Sequence, residues 1–436
     1  MIRAKNRMGL VFFPAYDWAI SPTHPEREER LLYTQDQLRE EGIFDIEGMV
    51  EFKPDIATEE DVMRTHFCFP DVAGVTTESH MISAGGAIKA ARMVMEKRVD
   101  RAFALVRPPG HHAMKSVHGN RGFCNINNEA IMIEYMRDRY GVRKIAVVDT
   151  DCHHGDGTQD IYWNDPGVLY ISIHQDGRTL YPGSGHVDEF GGPGAAGKTV
   201  NIPLPPRTGD EGILYAIDEM VLPIIRDFGP EIIVNSAGQD NHYTDPITNM
   251  NFSARGYAML NEKLSPHIAV LEGGYSIQGA LPYVNLGIIL AMAGVDYSHV
   301  KEPDFDRAAP RQEPDIMEYI KKMRDVVLGV YFEPPEYEDV PPYGEYMRRK
   351  KNIFYDTDGI RENQIESVMR CRECPGVWSL ETISSAHPLS LGIEIPVGAC
   401  PACEREGKNL VFDAKRSKKY RVIQVIDRVK KEYYRA

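Results

Sequence analysis

Short, continuously apolar runs alternate with amphipathic stretches over the first three-quarters of the chain. Ala102 to Val106, Ile145 to Val148, Val168 to Ile173, Ile232 to Val234 and His267 to Leu271 lack the polar alternation of a half-exposed strand. They therefore read as strands buried on both faces, as in a parallel sheet. Helical periodicity fills Ile82 to Lys97 and Gly212 to Asp227 between them. Alternating strand and helix predict an α/β fold, a parallel sheet with helices on both faces. Chemistry in such sheets sits beyond the carboxyl ends of the strands. No internal repeat is visible.

The pattern breaks at Phe332. From there to Tyr343 the chain is rich in proline and acid, which suits neither helix nor central strand and predicts an extended linker. The expected division is a large domain over 1–331, a linker over 332–345 and a small module over 346–436.

Composition narrows the class. Of 436 residues, 42% are hydrophobic and 26% charged, too apolar for a disordered chain. No apolar run approaches a bilayer span. Before Pro14 the N-terminus offers only Leu10 to Phe13, too short for a signal-peptide core, so a cytoplasmic address is expected. The net charge of −14 repels phosphate backbones and disfavours nucleic acid as a partner. Nine Lys/Arg against three Asp/Glu between Val411 and Ala436 form a basic tail, read first as a solvated helix face.

Three of the seven cysteines, Cys68, Cys124 and Cys152, stand alone. Cys371, Cys374, Cys400 and Cys403 form two C-x-x-C pairs separated by 25 residues. Two chelating pairs close a tetrahedral thiolate site, so the spacing predicts a structural zinc in a ribbon-like module, with iron the alternative metal. Such a module serves folding, docking or assembly of a homo-oligomer, and an iron-loaded one would move electrons. Its removal after Tyr331 is expected to impair solubility or substrate choice without abolishing the chemistry of the large domain.

Half of the 14 histidines lie between His111 and His186. Directly after the strand Ile145 to Val148 come Asp149, Asp151, His153, His154 and Asp156. In extended backbone alternate side chains share a face, so Asp149, Asp151 and His153 point together. A carboxylate and an imidazole there make two-thirds of a catalytic zinc site, while Asp149, His154 and Asp156 remain to support it. The third ligand is expected beyond Ile232 to Val234, where Asp240 is the candidate and His242 its competitor. After the strand at 102–106, His111 and His112 on a Pro-Pro-Gly turn suit general base and general acid work. Tyr275, on the glycine pair after Leu271, can donate to a developing oxyanion.

These stretches resemble the zinc-dependent histone deacetylase and acetylpolyamine amidohydrolase family, with its arginase-like fold. The likeness runs from about Met8 to Val330. It rests on His24 to Arg27 with Arg30-Leu31, Arg107 to Ala113, Gly122 to Asn125 with Asn127-Asn128, Asp149 to Gly157, Tyr181 to Gly185, Ser236 to Asp240, and Glu272 to Tyr275. The resemblance implies Asp151, His153 and Asp240 as ligands of the catalytic zinc. It implies His111 partnered by Asp149, His112 partnered by Asp156, and Tyr275 as the catalytic tyrosine. It also implies an acyl-lysine channel walled by Gly122, Phe123 and Tyr181, and a potassium site from Asp149, Asp151, His153, Ser172 and Ile173. For the family's rim aspartate only Asp71 offers itself.

Arginase-like ureohydrolases need further aspartates for a second metal; Gly155 and His242 stand at those places, which favours a single metal. A non-catalytic metal-binding relative would lack a ligand or the tyrosine, and none is missing here. Between an acylated lysine on a protein and an acylated polyamine, the short segment Phe69 to Ser83 suggests an open mouth and favours the protein. No membrane partner is expected.

Overall fold

Eight parallel strands form the central sheet: β1 (Arg3–Phe13), β2 (Glu47–Phe52), β3 (Arg101–Val106), β4 (Ile145–Asp149), β5 (Val168–Gln175), β6 (Thr199–Leu204), β7 (Ile232–Ala237) and β8 (Ile268–Leu271), in the order β2-β1-β3-β8-β7-β4-β5-β6. The structure is a computed structural model and describes residues 2–15, 18–303, 305–308, 311–337 and 340–436. Alternation along each strand builds two cores. Leu10, Phe103, Val148 and Leu271 face helices Glu29–Glu40, Ala254–Leu264, Leu281–Ala293 and Pro314–Phe332. Val11, Ala104, Val147 and Val270 face helices Glu78–Met95 and Asn128–Tyr140. Burial on both faces is why these strands are apolar throughout. The helical stretch expected over 212–227 is present, but a π turn at Ile217–Val221 interrupts it between Asp210–Ala216 and Leu222–Phe228.

Six more strands follow: β9 (Tyr346–Tyr355), β10 (Ile360–Met369), β11 (Trp378–Ser384), β12 (Ser390–Ile395), β13 (Ile423–Asp427) and β14 (Glu432–Arg435), paired in that order. All neighbours are antiparallel except β12 and β13, which the helix Pro401–Ser417 connects. In the preceding segment, Tyr337 packs against Phe190 at a 45° tilt with ring centroids 5.2 Å apart, while Glu338 and Asp339 of the expected linker lie outside the described residues. The four cysteines join the end of β10 to the start of that helix, with Cys374 and Cys403 sulfurs 3.3 Å apart.

This second sheet is seated on the first layer. Phe67 stacks on Trp378 at 5.6 Å, and Phe69, Leu380 and Ile426 close the same buried cluster. The Gln424 amide bridges the backbone of His66 and Cys68. Buried charges pair across the junction, Arg428 with Glu134, Lys115 with Glu394 and Lys351 with Asp160, while Arg428–Glu394 and Lys351–Glu366 pair within the outer sheet. The basic tail is therefore only partly a solvated face. Strand β13 is buried throughout and Arg428 is an internal ion-pair partner, and one of its two carboxylates, Glu134, lies 294 residues earlier in the chain.

Burial alone would raise the pKa of Glu394, but Arg428 and Lys115 hold it down at about 2; Lys351 and Arg349 likewise hold Glu366 at about 2. Depressed carboxylates contribute stability that is complete above their ordinary value of 4.5 and disappears as pH falls toward 2. A depression of that size corresponds to roughly 3 kcal/mol per carboxylate. Urea unfolding midpoints should therefore fall as pH drops from 4.5 to about 2, and Glu394→Gln should weaken that dependence. A midpoint flat across this window would contradict the assignment.

Candidate active site

The carboxyl edge of the sheet gathers the polar residues. Asp149 ends β4, where register pairs it with Ser236 of β7 and Ser172 of β5. Beyond it the backbone leaves the pleat, so strand alternation is not what aligns the next side chains. Local bonds do so instead: the Asp151 N–H donates to Asp149 Oδ1 at 3.1 Å, and the His153 N–H to Asp151 Oδ1 at 2.8 Å. Asp240 arrives from the loop after β7, fixed by the Cys152 N–H at 2.8 Å. The result is a buried trio in which His153 Nδ1 lies 2.9 Å from Asp240 Oδ2 and 3.2 Å from Asp151 Oδ1.

The potential ligand atoms of Asp151, His153 and Asp240 all lie within 4.8 Å of one another. A Cβ on Gly238 would stand 2.0 Å from Asp151 Oδ2, so the backbone must be bare at that point. Two buried carboxylates so close need a cation between them. In these surroundings burial would lower His153, yet Asp151 and Asp240 push it up to about 10. The donor set, one imidazole and two carboxylates, fits a divalent metal with open coordination positions. His242 does not join it. Its ring faces Glu302 and Thr244, with Nε2 3.2 Å from Glu302 Oε1.

His111 and His112 follow β3 and are both buried, with ring centroids 4.1 Å apart. His111 Nδ1 lies 3.2 Å from Asp149 Oδ2, and His112 Nδ1 lies 2.9 Å from Asp156 Oδ1. Burial opposes a charge on His111, but Asp151 and Asp149 outweigh it and hold its pKa well above the ordinary value. For His112, burial and the neighbouring His111 prevail and push it down to about 3. Burial also pushes Asp149 up to about 6. Burial would raise Asp156 too, but Arg121 and His112 keep it well below the usual range.

A cavity of about 320 Å³ leads to these groups, walled by Phe123, Leu180, Tyr181 and Ile247, with His112 and Tyr275 at its inner end. The Gly122–Phe123 turn runs through left-handed backbone, φ 53° and 69°. A Cβ on Gly122 would come within 2.4 Å of the His112 ring, so glycine lets the wall close over that imidazole. Tyr181 meets His112 edge-on at 5.2 Å, and Phe123 meets Tyr275 at 5.8 Å. Ser172 and Ile173 lie buried on β5 beside Asp149, with Ser172 Oγ 2.8 Å from His174 Nδ1. Asp71 does not line this cavity; it caps the short helix Val72–Val75 by accepting the Gly74 N–H at 2.7 Å. Its short side chain is engaged by its own turn.

Several supporting residues escape a motif reading. Glu272 Oε2 accepts the N–H groups of Gly110 and His111, at 2.7 and 3.0 Å, and so ties the histidine turn to the tyrosine loop. Asp245 Oδ2 accepts the Tyr275 N–H at 2.8 Å. Fully buried Glu26 joins Arg30 and Arg107, and Arg30 in turn donates to Gly274 O at 2.8 Å and lies over the Tyr275 ring. The Glu272 and Arg30 positions fall inside stretches singled out in the sequence; Asp245 carries no signal there.

The chain is similar to several known proteins. The family described as the histone deacetylase domain matches residues 72–285. A probable deacetylase of Archaeoglobus fulgidus is 48% identical over 325 residues, 68% of this chain and 89% of that protein. A histone deacetylase-like amidohydrolase of Pseudomonas aeruginosa is 37% identical over 231 residues, 51% of this chain and 60% of its own length. The crystal structure of the HDA15 HD domain superposes with a TM-score of 0.65 at 26% identity, covering 74% of this chain and 95% of that one.

Proposed function

The chain belongs to the histone deacetylase family, and from that membership we propose that it hydrolyses the side-chain amide of acylated lysine on proteins, with one zinc ion held by Asp151, His153 and Asp240. The convergence of those three groups beside a histidine couple and a phenol carries this reading. When bound, zinc supplies Lewis acidity toward the amide carbonyl and toward water.

The residues around it complete the chemistry. Asp156 occupies His112 Nδ1, which leaves the Nε2 lone pair free. His112 then takes a proton from the attacking water and returns it to the departing amine. The Tyr275 hydroxyl donates to the oxyanion as the carbonyl becomes tetrahedral. Phe123 and Tyr181 hold the aliphatic chain and keep bulk water away from it. A potassium ion bound near Asp149, Asp151 and Ser172 would offset the charge of the buried carboxylates. The four cysteines, all within 4.8 Å in their sulfur positions, suit a second zinc that pins the outer sheet.

Acylated polyamine is the second reading, favoured by the carboxylate of Asp356 in the cavity wall, where a free cationic end would sit. Rates on an acetyl-lysine peptide should exceed those on acetylspermidine and acetylputrescine. The reverse order would transfer the assignment to polyamines, and a protein inert toward every acylated amine would remove the proposal.

A further inference from the structure

Asp356 stands in the wall of the catalytic cavity, although all the other groups lining it come from the first 275 residues. It lies in the turn between β9 and β10 of the outer sheet. That turn is anchored from both sides. Asp358 accepts the Asn120 N–H at 2.6 Å, and the Tyr355 hydroxyl donates to Ser116 O at 2.9 Å. Asp356 Oδ1 itself accepts the Gly122 N–H and the Tyr181 hydroxyl, each at 3.0 Å, so it clasps two residues of the wall. Both bonds fall on Oδ1; among the described residues Oδ2 has no hydrogen-bond partner. Arg121, the cation whose field reaches Asp356, is committed through two bonds to Asp156. The carboxylate thus faces the cavity without a paired cation.

We propose that Asp356 is a specificity-determining residue: the outer sheet makes the cavity mouth anionic and favours acylated amines that carry a positive charge beyond the aliphatic chain, away from the scissile bond. The proposal rests on the amide-hydrolase reading above. An ammonium or guanidinium at the mouth gains a charge-assisted hydrogen bond to Oδ2, whereas a neutral end gains only a weak contact. The shared chemistry can come from the free end of a polyamine or from a basic residue flanking an acyl-lysine.

Two matched substrate pairs test it. Acetylputrescine is compared with the acetylated amino alcohol of equal length, and an acetyl-lysine peptide flanked by arginine with one flanked by glutamine. Asp356→Asn retains an acceptor for Gly122 and Tyr181 while removing the charge, so the wall is preserved. The ratio of kcat/KM for the cationic over the neutral member should exceed one in the wild type and fall about fivefold in Asp356→Asn, chiefly through KM. Added salt should lower the wild-type ratio and leave the variant's nearly flat. A shift confined to the first pair assigns the charge to free polyamines, and one confined to the second assigns it to proteins. A ratio unmoved by the substitution, or equal losses on both members of a pair, overturns the proposal and leaves Asp356 a prop for the wall. A wild-type protein that turns over none of these substrates instead overturns the amide-hydrolase reading itself.

Discussion

His112→Ala and Tyr275→Phe are each expected to lower kcat on an acetyl-lysine peptide by a factor of about 100 or more. The two losses have different origins. Without the imidazole, water has no base held in place by Asp156, which is itself fixed by Arg121. Without the phenolic hydroxyl, the oxyanion loses a donor that Asp245, Phe123 and Arg30 keep in position. Tyr275→Phe removes a single oxygen, so its unfolding curve should stay near that of the wild type, whereas His112→Ala vacates space beside Asp156 and should unfold somewhat earlier. Steady-state kinetics on the purified variants read the effect. Full activity in either would remove that residue from the reaction.

Asp240→Ala is expected to be more severe, with turnover falling on the order of a thousandfold or beyond, since metal activation supplies several kcal/mol of the barrier reduction. The loss should not come from unfolding. In the metal-free protein Asp151 and Asp240 repel each other, and His153 must hold a proton between them. Removing one carboxylate relieves that repulsion, so the apo variant should be no less stable than apo wild type. Thermal unfolding of both apo proteins separates the two explanations.

Much of this arrangement was legible in local sequence. The strands at 102–106, 145–148, 168–173 and 267–271 announced themselves because burial on both faces demands unbroken apolar runs, and the observed strands span them except at His267, one residue before the strand Ile268–Leu271. The histidine turn and the Asp149 to Asp156 segment stood out because several ionisable groups directly after a strand have few structural uses. Local sequence offered both Asp240 and His242 after β7 and only the family resemblance preferred the former; in the fold Asp240 turns toward His153, while His242 is drawn to Glu302. The local conformation after Asp149 was also hidden, since bonds to side-chain carboxylates replace the pleat there.

The outer sheet was the least readable part. Its proline-rich approach suggested a tethered appendage, yet its contacts bury Phe67, Phe69 and several ion pairs. Such pairings join positions separated by more than 200 residues, and no local pattern encodes them. Asp356 is the clearest instance. Nothing near it in the chain marks a cavity residue, and only the seating of β9 and β10 brings it to Gly122 and Tyr181. Deletion after Tyr331 would therefore expose an apolar face and open the mouth together.

The most direct measurement is the divalent metal content per chain of purified wild type and Asp240→Ala, determined beside their hydrolysis of an acetyl-lysine peptide. Loss of one metal equivalent together with turnover, while the metal on Cys371, Cys374, Cys400 and Cys403 is retained, is the expected result. An unchanged metal content with undiminished hydrolysis would contradict a catalytic ion held by Asp151, His153 and Asp240.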